Sequence, residues 1–317
     1  MNDRITRREF FGRAAAAGLA FYGLGLTAGC KRGFSRTLKS GPREKRTNGL
    51  KKGVFVARGS DDPAKLTRAA VDAAGGMKKL VKKGDIVVVK PNIGWDRTPE
   101  QAANTNPAVV AALVAMAIEA GAKEVRVFDR PCNPERRTYK RSGIAAAAEK
   151  AGAKVSFMDE ASYINVDIPG AKALKEWMLY KDALECDVFI NVPILKHHSA
   201  TGITAGMKNL MGIAGGDRGA WHVGQLDQRI ADVQLAIKPD LVVIDAFRIL
   251  KAHGPQGGSA ADVREAKTVA VSTDIVSADA YAAKLFGADL NDIAHITIAA
   301  GMGLGKIEPA ALKEINV

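Results

Sequence analysis

Apolar runs and helix-spaced apolar segments alternate along most of the chain. Val54 to Ala57 is a short apolar run that reads as a first strand. From Pro63 to Val81, Ala and Leu recur at spacings of three and four, the mark of a helix with one buried face. Asp85 to Lys90 (DIVVVK) is continuously apolar, as expected of a strand covered on both faces. Asn106-Pro107 opens a helix through Ala111 to Ala120, with Gly121 as its C-cap. Val125 to Phe128 is a strand, Ile144 to Ala151 a helix and Val155 to Met158 a strand. The stretch Tyr163 to Tyr180 fits either a short hairpin or an excursion from the core. Asp187 to Val192 (DVFINV) is a strand, Asp227 to Ile237 a helix, and Leu241 to Ile244 (LVVI) a strand ending at Asp245. Val269 to Ser272, Ser277 to Phe286 and Ala294 to Gly301 complete the series as strand, helix and helix, before a glycine-rich turn and a short tail. This alternation predicts an α/β fold, a mostly parallel sheet with helices on both faces in a Rossmann-like three-layer arrangement.

The chain concentrates its polar groups in Ile190 to Gly212 (INVPILKHHSATGITAGMKNLMG). The pattern predicts a strand leading through a polar turn into a helix. In an open α/β sheet, ligands sit outside the carboxyl ends of the strands. A helix amino terminus there offers free N–H groups and the positive end of a dipole. Lys196, His197, His198, Lys208 and Asn209 are placed to line such a crevice. Other strands carry polar residues at or just past their ends: Lys90 and Asn92, Asp129, and Asp245. In a parallel sheet these converge on one rim, although Asp129 and Asp245 fit equally well as caps of their own loops. His253 to Gly258 is a loop in which Gly254 has the backbone freedom to approach a ligand closely.

The amino terminus is a different kind of segment. Thr6-Arg7-Arg8-Glu9-Phe10-Phe11 is a twin-arginine pattern, and an Ala- and Gly-rich apolar run follows from Ala14 to Ala28. That run is shorter than the roughly 20 residues a membrane span needs. Residues 1–30 therefore read as a signal for the twin-arginine translocase, which would place the protein in the periplasm. Leu26-Thr27-Ala28-Gly29-Cys30 resembles a lipoprotein signal, with the leucine one place too far from the cysteine. A lipid on Cys30 would anchor the protein to the membrane facing the periplasm.

The net charge of +12 belongs mostly to these first residues. Residues 1–30 carry +2 and residues 31–52 carry +8, which leaves +2 for residues 53–317. A nearly neutral body excludes nucleic-acid binding as the meaning of the charge. Residues 31–52 read as a basic linker, with the option of attraction to an anionic bilayer. Residues 53–317 read as a single α/β domain. Beyond Cys30 the cysteines are Cys132 and Cys186. Two thiols do not build a four-thiolate cluster, so no iron–sulfur cluster is expected within the chain. The two precede and follow strands at opposite ends of a parallel sheet, so both are expected to be free and structural.

The chain resembles the family called domain of unknown function 362. The resemblance rests on KPN at Lys90 to Asn92, TNPAVV at Thr105 to Val110, EAGAKEV at Glu119 to Val125 and NVPILKHH at Asn191 to His198. It continues with GMKNLMG at Gly206 to Gly212, His222, KPDLVVID at Lys238 to Asp245, GPQGG at Gly254 to Gly258 and STDIVSAD at Ser272 to Asp279. Some members are described as iron–sulfur centre proteins and carry an added ferredoxin-like module, which this chain lacks. The family's glycine after the strand-end aspartate is Ala246 here. The resemblance implies Lys90, Asn92, Lys196, His198, Lys208, Asn209, His222, Asp245 and Asp279 as motif residues, with His198 favoured over His197.

Two functions follow. In the first, the protein is an enzyme acting on a small carboxylate or phosphate. Lys90, Lys196, Lys208, Asn92 and Asn209 grip the anion, and His198 serves as acid or base. A metal-assisted version has His198 and His222, with Asp245 or Asp279, hold a divalent transition metal. In the second, the protein captures a metal or small anion without catalysis, or serves an exported redox complex as an accessory subunit. No Walker loop, serine elbow or zinc-protease helix is present, nor a Gly-x-Gly-x-x-Gly after the first strands.

Overall fold

The computed structural model describes residues 45–46 and 49–317. The expected export signal, and most of the expected linker, lie outside the described residues. In chain order the strands and α-helices are β1 (Val54–Arg58), α1 (Pro63–Ala73), α2 (Met77–Leu80), β2 (Ile86–Pro91), α3 (Pro107–Glu119), β3 (Glu124–Val127), α4 (Glu135–Arg141), α5 (Ile144–Lys150), β4 (Lys154–Val155), β5 (Tyr163–Asp167), β6 (Glu176–Tyr180), α6 (Lys181–Glu185), β7 (Val188–Val192), β8 (Ile194–His198), β9 (Gly202–Thr204), α7 (Gly206–Asn209), α8 (Leu226–Ala236), β10 (Leu241–Leu250), β11 (Val263–Ser272), α9 (Ile275–Phe286), α10 (Ala294–Gly301) and β12 (Leu312–Asn316).

The main sheet has the order β12-β1-β11-β10-β7-β2-β3-β4. From β10 to β4 every pair along this path is parallel. β8 adds to β10 in parallel, and β9 adds to β8 antiparallel. The sheet is therefore mostly parallel, as expected. β11 departs from the pattern, pairing antiparallel with both β1 and β10.

Residues next to each other in a strand face opposite sides of the sheet. Val87 and Val89 of β2 pack into one apolar cluster with Leu66, Leu113 and Ile144 from α1, α3 and α5. Val88 packs into the other cluster, with Ile230, Val276 and Ile296 from α8, α9 and α10. Both faces are covered, which gives three layers and explains the unbroken apolar runs Ile86 to Val89, Val188 to Ile190 and Leu241 to Ile244.

The helices start where capping residues stand. Asp62 accepts from the N–H groups of Ala64 and Lys65, Asn106 from Ala108, and Asp274 from Val276 and Ser277. The single helix expected from Pro63 to Val81 is two. Gly75 and Gly76, at φ of 128° and 90°, break it in a conformation that L-residues rarely adopt. The stretch Tyr163 to Tyr180 is the hairpin β5–β6.

The largest correction falls on Ile190 to Gly212. It is not one strand and a helix. Pro193 has no N–H to continue the ladder, so β7 ends at Val192 and the chain restarts as β8. The Pro193 carbonyl accepts instead from the Asp245 N–H at 2.9 Å. His198 to Gly202 closes a hairpin with β9, and only then does the short α7 begin. The expected helix dipole site is therefore absent: α7 has four residues, and the N–H groups of Gly206 and Met207 already bond Asp279 at 2.6 and 2.8 Å. The tail expected after Gly301 forms the further strand β12 beside β1.

Candidate functional site

A cavity of about 200 Å³ opens where the loops after β2, β3 and β10 meet β8, α7 and the 3-10 turns Leu210–Ile213 and Arg218–His222. Its lining includes Asn92, Trp95, Asp129, Arg130, Cys132, Lys196, His198, Lys208, Asn209, Gly212, Arg218, His222 and Pro255. The sequence thus anticipated Asn92, Lys196, His198, Lys208, Asn209 and His222, and the fold brings all six together. It missed Arg130, Cys132, Arg218 and Trp95.

Three asparagines and a lysine build the floor. Asn191 donates to the Gly206 carbonyl at 2.8 Å, which ties β7 to the start of α7. Asn209 donates to the Asn191 side chain at 2.8 Å and accepts from Asn92 at 2.9 Å. Lys196 donates to the Asn92 side chain at 3.0 Å and to the Ala103 carbonyl at 2.5 Å. Each amide is thereby oriented by its neighbour, so the floor is fixed before any ligand arrives.

Lys90 does not reach the cavity as a gripping residue. It is fully buried and pairs with Asp129 at 2.7 Å, while donating to the Pro91 carbonyl at 2.8 Å. The second carboxylate oxygen of Asp129 accepts from the Ile93 N–H at 2.6 Å. Gly212 lies directly over this pair: a Cβ there would sit 2.0 Å from Asp129 Oδ1 and 2.7 Å from Lys90 Nζ. Lys90 and Asp129 therefore cancel one another beneath the cavity.

The remaining charges do not cancel. Asp129 is the one carboxylate among the described lining residues, against Arg130, Lys196, Lys208 and Arg218. Arg130 is spoken for by the carbonyls of Ala214 and Gly216 and, at 3.9 Å, by Glu160. The Lys208 side chain has no hydrogen bond or ion pair to any described residue, and it stands half-buried in the lining. Burial pushes Lys208 down to about 8 and Lys196 down to about 7, in both cases partly opposed by Cys132. Among the described residues Arg218 meets only carbonyls and the Cys132 sulfur, at 3.5 Å from the latter. A cavity with a surplus of desolvated cations favours an anion.

The two histidines of the cavity stack with centroids 6.3 Å apart and planes 12° from parallel. Both are held neutral, first by burial and then by nearby Lys208. Their hydrogen bonds give them different roles. His198 Nδ1 accepts from the Ala200 N–H at 3.1 Å, so its ring proton sits on Nε2 and that nitrogen is a donor. His222 Nδ1 lies 3.2 Å from the Gly219 carbonyl and donates to it, which leaves Nε2 as a free lone pair. His197 faces elsewhere, accepting from the Gly254 N–H at 3.1 Å.

The four expected metal ligands are not brought together. Asp245 stands in the middle of β10, which runs on through Ala246 to Leu250 rather than ending there. Its oxygens accept from the N–H groups of Asn106 and Phe247 at 2.7 and 3.1 Å. Asp279 holds the start of α7. Both are buried outside the cavity lining, and burial raises both to about 6. Gly254 is also corrected: a Cβ there would lie 2.0 Å from the His197 carbonyl, so packing against β8 requires the glycine and Pro255 faces the cavity in its place. Cys132 is a free thiol, as expected, but it is exposed in the cavity rather than structural, whereas Cys186 is buried.

A thylakoid-associated protein of Synechocystis is 29% identical to the chain over 225 residues, covering 67% of this chain and 66% of its own length. Among solved structures, the lactate racemase apoprotein of Thermoanaerobacterium thermosaccharolyticum is similar at 12% identity and a TM-score of 0.45, over 73% of this chain and 56% of that one. A structural-genomics protein of Thermotoga maritima is similar at 13% identity and the same TM-score, over 73% of this chain and 60% of that one. The chain thus spans only part of each of these proteins. The family described as Domain of unknown function (DUF362) matches residues 87–284, more than half of the chain, and the chain belongs to that family.

Proposed function

We propose that the chain is an exported enzyme that acts on a small anionic substrate, a carboxylate or a phosphate, by proton transfer in the cavity. The observation that carries this reading is Lys208, a half-buried ammonium with no partner among the described residues, facing the same cavity as Lys196 and Arg218. These three cations hold the anion, and the Asn92–Asn209 floor fixes its orientation. His222 Nε2 is the free base, and the His198 Nε2–H donates to an oxygen that gains charge. Lys196, held near neutrality by burial, supplies a second proton-transfer group.

The metal-assisted version draws less support from this geometry. His222 offers a lone pair, but His198 would have to give up its bond from Ala200 to offer one. Asp245 and Asp279 are engaged elsewhere. Export rests on the twin-arginine pattern, and attachment to a membrane on Cys30 and the basic residues 31–52. A relative named for its association with thylakoids agrees with a place at a membrane surface.

The test is hydrogen exchange. The full chain is incubated in D2O with a panel of small 2-hydroxy, 2-oxo and phosphorylated acids, and loss of substrate C–H signal is followed by proton NMR. Exchange that disappears in His222→Ala and Lys196→Met supports the enzyme. An acid that binds tightly yet never exchanges or changes would contradict catalysis and leave a binding protein.

A further inference from the structure

The sequence gives Cys132 no role beyond structure, yet the fold places its exposed sulfur in the cationic cavity, 3.5 Å from the Arg218 guanidinium. Arg218 is held toward it by the Pro131 carbonyl, the residue just before the cysteine. Lys208 stands unpartnered in the same lining, and Lys196 is buried there with two of its three donors used. Cys186, by contrast, is buried in the apolar core. The one carboxylate of the lining is already held by Lys90, so no internal anion competes for these cations among the described residues.

We propose that Cys132 is a nucleophile for small anionic electrophiles gathered by Arg218, Lys196 and Lys208. The inference rests on the anion-site reading above and adds a covalent step to it. The ligand class is a small carboxylate that bears a carbonyl carbon. Sulfur bonds to that carbon, and the thiol proton leaves to the solvent that reaches Cys132. The carbonyl π pair moves to oxygen, which takes a proton from the Lys208 ammonium. The product is a hemithioacetal, with no change in oxidation state. The cations bring the carboxylate to the sulfur and steady the oxygen as it gains charge.

Two alkylating probes of like size and unlike charge test this. With iodoacetate or iodoacetamide, the same S–C bond forms as iodide leaves with the C–I pair. The reduced full chain is treated with each, and labelling of the Cys132 peptide is timed by mass spectrometry, with glutathione in the same buffer as comparator. The iodoacetate-to-iodoacetamide rate ratio at Cys132 is expected to exceed that of glutathione by about tenfold or more, the range of electrostatic steering in a charged cleft. Arg218→Gln and Lys208→Met should each lower the ratio, and saturating oxalate or phosphate should bring it down to the glutathione value. Thermal melting of both variants checks that they remain folded. A wild-type ratio equal to that of glutathione, or one that neither variant changes, overturns the proposal. If oxalate or phosphate binds by calorimetry while the ratio stays at the glutathione value, the nucleophile fails and the anion site stands. If neither anion binds and the ratio is also that of glutathione, both fail.

Discussion

At the scale of single residues, the site separates charges that cancel from charges that do not. Lys90 and Asp129 are both buried and pair at 2.7 Å. Asp129→Asn would leave Lys90 as an uncompensated buried cation, and should destabilise the fold by about 3–5 kcal/mol in denaturant titration. Lys208 has no such partner, so Lys208→Met should leave stability nearly unchanged and weaken anion binding by tenfold or more. The histidines differ by tautomer rather than by position. Because the His198 Nε2 carries a proton, exhaustive chelation of the full chain should leave anion affinity unaltered; a loss of affinity on chelation, restored by one added transition metal, would reinstate the metal-assisted version. Of these residues, the sequence made the histidines, lysines and asparagines legible through polar groups at strand ends. It did not show that Lys90 is neutralised, because the partner lies just past the end of another strand. Arg218 was within reach, standing four residues before His222 in the glycine-rich stretch GIAGGDRGAWH from Gly212 to His222. Cys132 reads as structural in the sequence because a cysteine carries no periodic signal, and only the loop after β3 brings it to the cavity.

At the scale of elements, two strands and a short helix replace the expected strand-to-helix turn. The apolar run through Pro193 and Ile194 concealed the break at Pro193, and the polar run HHSATG disguised a hairpin as a loop. The sheet was otherwise legible wherever burial on both faces gave an unbroken apolar run, as in Ile86 to Val89 of β2, Val188 to Ile190 of β7 and Leu241 to Ile244 of β10. It was not legible at β11, since an apolar run says nothing about whether its neighbours run parallel. The same holds for Asp245, read as a strand end but lying mid-strand. The α7 turn carries Lys208 and Asn209 to the cavity, and Asp279 holds its first N–H groups from α9. Asp279→Ala leaves two buried N–H groups unpaired, which should cost about 2–4 kcal/mol. It should also weaken anion binding without touching the ligand, and the two effects can be read from a thermal melt and a calorimetric titration of the same variant. Gly212→Ala meets Asp129 and Lys90 directly, and should destabilise by at least about 2 kcal/mol.

At the scale of the whole molecule, the body is nearly neutral while its cavity is cationic. The affinity for an anion should therefore follow the protonation of two lysines rather than the net charge. Burial sets Lys196 to about 7 and Lys208 to about 8. Below pH 7 both carry charge and binding is strongest. As pH rises through 7 and then 8 each loses its proton in turn, and affinity should fall in that window. The cavity histidines are held neutral, so they add no opposing limb near neutrality. A bound anion favours the ammonium forms, so binding near pH 7.5 should take up protons, which calorimetry in buffers of different ionisation enthalpy will report.

The most direct measurement is a calorimetric titration of oxalate and of phosphate into the full chain at pH 6.5, beside Lys208→Met. The account predicts one saturable site for at least one of the two anions, weakened tenfold or more by the substitution and by raising the pH to 9. Binding of neither anion to the folded protein, or binding indifferent to both Lys208 and pH, would contradict it.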